Sequence, residues 1–229
     1  MKRTMLFRFV NISFLPIIAF TFLIIGCGGP PSGDLPIRQI QKVLVDIPTY
    51  SILLEDMKEE GNFFKTYYHK YRVVQENEKR TSGWLEVPKS YYKKNENFLG
   101  MSLATRKEGK DSLGVKPPGY AYVGDSRYGR WGNDHRGSSI WEWYGKYALF
   151  SSLFGGWYRP IYRNDYASYN SYRSRRQPFL GRNKEFGSSG SIAKRTKPNF
   201  FARHMAKQRS GRSSFANKVS NRIGRTKTG

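Results

Sequence analysis

The chain of 229 residues carries 40 Lys and Arg against 17 Asp and Glu, which gives a formal net charge of +23. Its mean hydropathy of -0.67 and its hydrophobic content of 38% exclude a protein with many membrane-spanning helices. One cysteine and three histidines exclude an internal disulfide framework and a multi-cysteine zinc site. We therefore expect no bound metal and no cofactor.

The first 26 residues have the pattern of an export signal. Lys2, Arg3 and Arg8 precede a mostly apolar run from Phe9 to Ile25, as in the basic and apolar regions of a secretory signal. The apolar run is shorter than the roughly 20 residues of a spanning helix, and helix-breaking glycines and prolines follow it. The sequence predicts a signal peptide over residues 1–26 and a flexible tether over residues 27–34.

The end of this signal, Leu23-Ile24-Ile25-Gly26-Cys27, resembles a bacterial lipobox. The resemblance implies that signal peptidase II cuts between Gly26 and Cys27 and that the sulfur of Cys27 is diacylated. It implies a protein held in the bacterial cell envelope by its lipid. Because Gly28 rather than Asp follows the cysteine, it implies the outer membrane if the cell is Gram-negative. The alternative is an ordinary buried cysteine or an uncleaved anchor.

Residues 35–108 are nearly balanced in charge and predict a small folded domain of the α+β or mostly β class. Tyr50–Lys58 and Asn62–Gln75 alternate in polarity on either side of Gly61, which predicts a hairpin. The other predicted elements are a short strand at Trp84–Val87, a helix at Lys89–Asn97 after Pro88, a strand at Phe98–Arg106, and a segment at Arg38–Val45 that fits a helix or a strand.

Residues 109–130 are rich in glycine and proline and predict a linker. Residues 131–158 contain four of the five tryptophans, and the spacing of the aromatic residues predicts a helix over 140–154. Such a helix packs against the 35–108 domain, lies at a membrane interface, or forms a self-association surface. For the membrane alternative, the residues expected at headgroup level are Trp141, Trp143 and Trp157.

Residues 159–229 carry 18 Lys and Arg against 2 Asp and Glu, and only 10 of these 71 residues are Leu, Ile, Val or Phe. This composition predicts a disordered basic tail that contacts anionic lipid, polysaccharide or an acidic partner protein. Arginines interleaved with tyrosines suit nucleic acid only if the chain is not exported. The candidate anion contacts are Arg173, Arg175, Arg176, Arg195, Lys197, Arg209 and Arg212.

No catalytic motif for a known reaction is present, so we expect a binding or structural protein. The alternative is an envelope enzyme, or an accessory subunit of one, that acts through His69 or His135. It predicts a concave pocket in which one of these histidines lies beside a carboxylate.

Several segments, taken in order, resemble an uncharacterised family of small bacterial lipoproteins. They are Leu54–Met57, Gly83–Pro88, Pro117–Tyr120, Tyr128–Trp131, Trp141–Gly145 and an end rich in arginine and serine. The resemblance implies no activity.

Overall fold

The computed structural model describes residues 34–225. The signal peptide predicted over 1–26, the predicted lipidation site Cys27 and nearly all of the tether lie outside the described residues. The strands are β1 (Tyr50–Glu60), β2 (Thr66–Val74), β3 (Lys79–Thr81), β4 (Leu85–Glu86), β5 (Ser102–Lys107), β6 (Lys110–Lys116), β7 (Gly129–Asn133) and β8 (Ser139–Trp143). The α-helices are α1 (Pro36–Val43), α2 (Lys89–Asn95), α3 (Phe150–Phe154), α4 (Arg163–Ser174), α5 (Ser191–Thr196) and α6 (Pro198–Arg225).

The main sheet is antiparallel and six-stranded, in the order β3-β2-β1-β5-β6, with β4 also paired to β2. Strands β7 and β8 form a separate two-stranded sheet. With its helices, this arrangement confirms the α+β class. The predicted hairpin is confirmed as β1 and β2, in which Ser51 pairs with Val74 and Glu60 with Thr66. The predicted helix after Pro88 is confirmed as α2.

The predicted boundary at residue 108 does not separate the hydrophobic core. Tyr122 is fully buried, and its hydroxyl donates to the carbonyl oxygen of Tyr50 at 2.7 Å. Trp157 packs over Gly100 so closely that a Cβ there would lie 2.1 Å from the indole ring. Residues after 108 therefore complete the core of the main sheet.

The predicted linker over 109–130 is wrong for two reasons. First, Gly109 lies in the turn of the β5–β6 hairpin, and the residues after it form strand β6. The glycines that follow are separated by tyrosines, and Tyr120, Tyr122 and Tyr128 are all buried. The aromatic rings hold this segment against the core, although its backbone is irregular.

The helix predicted over 140–154 is correct only at its end. Residues 139–143 form strand β8 instead, where Trp141 pairs with Trp131 of β7 and the ring centroids are 5.2 Å apart. Gly145 then takes a φ of 62°, which favours glycine and separates β8 from α3. Of the three interpretations, the structure supports packing of the aromatic residues on the domain.

The predicted disorder of residues 159–229 is corrected for the part that the structure describes. Helices α4, α5 and α6 occupy much of it, and Tyr169, Phe179, Phe186, Ile192 and Phe200 are buried. Aromatic side chains thus supply the apolar surface that the aliphatic residues lack. None of the helices within residues 34–225 is both long enough and apolar enough to cross a bilayer.

Candidate anion-binding site

The β5–β6 hairpin positions the first group of site residues. Its two turn residues, Glu108 and Gly109, have φ values of 47° and 75°, and such turns match the twist of paired strands. In the resulting register Thr105 lies opposite Ser112. The register of β6 shifts between Leu113 and Lys116, and the long side chain of Lys116 reaches back to the hydroxyls of Ser112 and Thr105.

Lys116 is a buried cation whose side-chain partners are hydroxyl groups. Only 8% of the residue is exposed. Its Nζ donates to Ser112 Oγ at 3.0 Å and makes a longer contact of 3.4 Å with Thr105 Oγ1. Among residues 34–225, no carboxylate forms an ion pair with it. The pKa of Lys116 is lowered from 10.5 to about 8. Burial is the larger cause, and the nearby positive charge of Arg173 is the smaller one.

The end of helix α4 places Arg173 and Arg176 beside Ser112 and Lys116. Arg173 lies one turn after the buried Tyr169. The helix then closes with two backbone bonds, from Arg176 N–H to the Arg173 carbonyl at 2.9 Å and from Gln177 N–H to the Tyr172 carbonyl at 3.0 Å. This is a Schellman motif, in which the left-handed position is usually glycine. Arg176 holds that position with a φ of 56°.

Two adjoining cavities, of about 380 and 360 Å³, share Ser112, Lys116, Tyr169 and Arg173. We name them together the Lys116 cleft. The first half adds the apolar side chains Phe98, Leu113, Val115 and Pro178, together with Arg176 and Gln177. The second half is polar and is lined by Thr105, Lys107, Lys110 and Arg127, with Glu108 and Asp111.

The two carboxylates of the polar half are already neutralised. Arg106 binds Asp111 through Nε at 2.7 Å and Nη2 at 2.9 Å, and this hydrogen bonding lowers the pKa of Asp111. Glu108 is paired with Arg127. By contrast, Lys116, like Arg173 and Arg176, has no ion pair within the described part of the chain. The cleft therefore presents uncompensated positive charge.

The structure divides the predicted anion contacts of the tail into distinct groups. Arg173 and Arg176 line the Lys116 cleft. Arg175 lies over a tyrosine ring instead, with its guanidinium carbon 5.1 Å from the ring centroid. Arg209 is exposed on α6, and the side chain of Arg212 lies outside what the structure describes.

Two further candidates are used inside the fold. Lys197 Nζ binds Asp56 Oδ2 of β1 at 2.7 Å. Arg195 donates through Nη2 to the carbonyl oxygen of Gly156 at 3.0 Å. These contacts fasten α5 and the start of α6 to the domain. Lys197 is neutralised by its carboxylate, whereas the exposed Arg195 keeps its charge.

The prediction of interfacial tryptophans is wrong. Trp157 is 1% exposed, and its indole N–H donates to Glu55 Oε2 at 2.8 Å. Trp141 is 4% exposed, and the partly buried Trp143 donates to the hydroxyl of Tyr158 at 2.9 Å. Burial therefore removes Trp141 and Trp157 from any membrane surface, and Trp143 packs partly against the core.

The two histidines of the enzyme alternative do not form the pocket that it predicts. His69 is fully buried between aromatic rings, with Nδ1 3.0 Å from the hydroxyl of Tyr71, and burial lowers its pKa to about 4. His135 is exposed in the β7–β8 turn, where the carboxylate of Asp134 accepts backbone N–H groups. Within residues 34–225, no cluster of three metal-ligating side chains occurs.

Sequence reasoning missed Lys116, Ser112 and Thr105, because it treated residue 109 as the start of a linker. The signal that could have found them is Glu108-Gly109 between two short segments of alternating polarity, a pattern typical of a tight hairpin.

No protein-family model, no curated protein and no solved structure matches this chain.

Proposed function

We propose that this protein is a lipid-anchored envelope protein of the binding type, which holds an anionic group in the Lys116 cleft. The observation that carries the proposal is the buried ammonium of Lys116, whose side-chain partners are two hydroxyls. A buried charge is costly unless it is paired, and Arg173 adds repulsion between like charges. An anion bound between Lys116 and Arg173 relieves both costs, so its binding is favoured.

The lining of the cleft narrows the class of ligand. Both halves supply ammonium, guanidinium and hydroxyl donors, and the first half adds apolar side chains. A phosphate, sulfate or carboxylate group attached to an apolar or sugar moiety fits this division, since guanidinium groups bind such oxygens in pairs. Anionic lipids, acidic polysaccharides and acidic proteins all carry such groups.

Sulfate is a direct probe of the cleft because its charge does not change between pH 6 and 10. We expect sulfate to raise the melting temperature in a saturable manner. Lys116→Met is expected to lose this effect, whereas Lys79→Met, on the exposed strand β3, is expected to keep it. Sulfate also stabilises proteins in general, and the Lys79 variant accounts for that contribution.

The pH dependence provides a second test of the same cleft. As the pH rises through about 8, Lys116 loses its proton and with it the charge that attracts the anion. The effect of sulfate should therefore decline across this range in the parent protein and stay flat in Lys116→Met. If Lys116→Met responds to sulfate as the parent does, the proposed function is wrong.

The lipid anchor is part of the proposal and is supported by the lipobox resemblance at Gly26 and Cys27. Labelling cells with radioactive palmitate tests it directly. We expect label on the parent protein and none on Cys27→Ala. If the parent takes up no label, the envelope location fails, and the basic surface is then better explained by binding to nucleic acid.

A further inference from the structure

The tip of the β1–β2 hairpin displays two adjacent phenylalanines to solvent. Phe63 is 97% exposed and Phe64 is 93% exposed. Single exposed apolar residues are common on soluble proteins, but a pair of almost bare aromatic rings marks a contact surface. Gly61 shapes the loop, since its φ is 93° and a Cβ there would lie 2.1 Å from the carbonyl oxygen of Phe64.

This tip extends beyond strand β5 on one side of the hairpin and beyond strand β4 on the other. Strand β5 pairs with β1 only over Tyr50–Leu53, whereas β1 continues to Glu60. On the other side, β4 pairs with β2 at Tyr68 and His69, which lie opposite Lys58 and Met57, so only the chain between Lys58 and Tyr68 extends past both neighbouring strands. The two phenylalanines are thus at the exposed end of the hairpin, and the Lys116 cleft is near the other end of β1, because Ser102 pairs with both Leu53 and Lys116.

Behind the tip lies an indole ring flanked by lysines. Trp84 is 38% exposed, and the Nζ atoms of Lys58 and Lys70 are 4.6 and 5.7 Å from the centroid of its ring. Tryptophan and lysine are the residues that favour the headgroup level of a bilayer, with apolar residues deeper. From the tip inwards, the two apolar phenylalanines come first, and Trp84 with its neighbouring lysines follows.

Two of the carboxylates near the tip are paired with lysines. Glu60 is paired with Lys58 at 2.6 Å. Glu59 is paired with Lys65 at 3.0 Å and also with Lys207 of α6. Glu86 of β4 forms no ion pair within residues 34–225, but the lysines near the tip, Lys58, Lys65, Lys70 and Lys207, outnumber these three carboxylates.

We propose that the β1–β2 tip inserts Phe63 and Phe64 into the interfacial layer of a phospholipid bilayer, with Trp84 at headgroup level. Two phenylalanines offer about 400 Å² of surface, roughly half of what one partner buries in a stable protein complex. Rings that are almost fully exposed have no walls of a pocket around them, whereas a fluid bilayer can surround them on all sides. The inference needs neither acylation of Cys27 nor a ligand in the cleft.

A fluorescent label beside the phenylalanines tests the insertion. In the full chain carrying Cys27→Ala, the substitution Asn62→Cys introduces a single cysteine, which is labelled with an environment-sensitive dye. Ser138→Cys, in the exposed β7–β8 turn, serves as the matched control. Each labelled protein is mixed with vesicles of phosphatidylethanolamine and phosphatidylglycerol, with and without a nitroxide lipid.

We expect the dye at position 62 to shift to shorter wavelength and to be quenched by the nitroxide, and the dye at position 138 to do neither. Adding Phe63→Ser and Phe64→Ser is expected to abolish the shift without lowering the melting temperature, because both rings are exposed. Lys116→Met is expected to leave it unchanged. The proposal is overturned if position 62 shows no shift on chains that sediment with vesicles. It is equally overturned if the shift survives the double substitution, or if it occurs without vesicles as protein concentration rises, which indicates self-association.

Discussion

Arg176→Gly is expected to make the protein more stable and its anion binding weaker. Arg176 occupies the left-handed position that ends α4, with a φ of 56°, where glycine is the usual residue. Its side chain is exposed and lines the Lys116 cleft, so its removal costs little packing. Proteins often keep an unfavourable backbone conformation at a binding site, where it lowers stability but positions a side chain for function.

The expected gain follows from two opposing contributions. A residue with a side chain in the left-handed conformation costs about 1–2 kcal/mol. Glycine removes this cost but gives the unfolded chain more freedom, which offsets about 0.5–1 kcal/mol. The net gain is about 0.5–1 kcal/mol, or about 1–4 °C in melting temperature for a domain of this size. Loss of an exposed guanidinium contact weakens sulfate binding by at most about fivefold.

Thermal melting with increasing sulfate measures both effects in one assay. Lys184→Gly is the matched control, since Lys184 has a φ of 55° in another turn and does not line the cleft. We expect both variants to melt higher than the parent without sulfate. Only Arg176→Gly should show a smaller response to sulfate. A lower melting temperature of Arg176→Gly, or an unchanged response to sulfate, would refute the argument.

The core and the buried histidine supply two further predictions. Gly100→Ala is expected to destabilise the protein by at least about 3 kcal/mol, because the added Cβ meets the Trp157 ring. Gly109 has a similar φ but open space around it, so Gly109→Ala is expected to cost only about 1 kcal/mol. Equal losses of unfolding free energy in urea denaturation would contradict this reasoning. The pKa of His69 is about 4 when folded, against 6.5 for an exposed histidine, so only the unfolded chain takes up a proton between these values. Stability should therefore fall by about 3 kcal/mol as the pH drops from 6.5 to 4. His69→Phe should remove this part of the acid sensitivity, and an unaltered pH profile would show that His69 is not its source.

Elements encoded by local patterns were predictable from the sequence. Strand β2 alternates between buried and half-buried residues, β1 opens on a run of mostly apolar residues, and Gly61 supplies the positive φ of their loop. Helix α2 follows Pro88, whose fixed φ suits a helix start. In each case the signal lies within a few residues, so tertiary contacts were not needed to recognise it.

The remaining elements depend on contacts between distant parts of the chain. Trp141 and Trp143 fit a helical spacing as well as a strand, and the pairing of Trp141 with Trp131 decides between them. The cleft depends on such contacts even more. Lys116 and Arg173 come from a strand and a helix far apart in the chain, so no local pattern joins them.

The folded state of residues 159–225 changes how their charge acts. A disordered basic tail binds polyanions by its number of charges, and salt weakens such binding strongly. Here Lys197 and Lys207 are instead paired with Asp56 and Glu59. The buried Phe179 and Phe200 make the segment part of the core, so deletion of 159–229 would remove core side chains as well as charge. Single substitutions in the cleft therefore separate binding from folding, whereas truncation confounds the two.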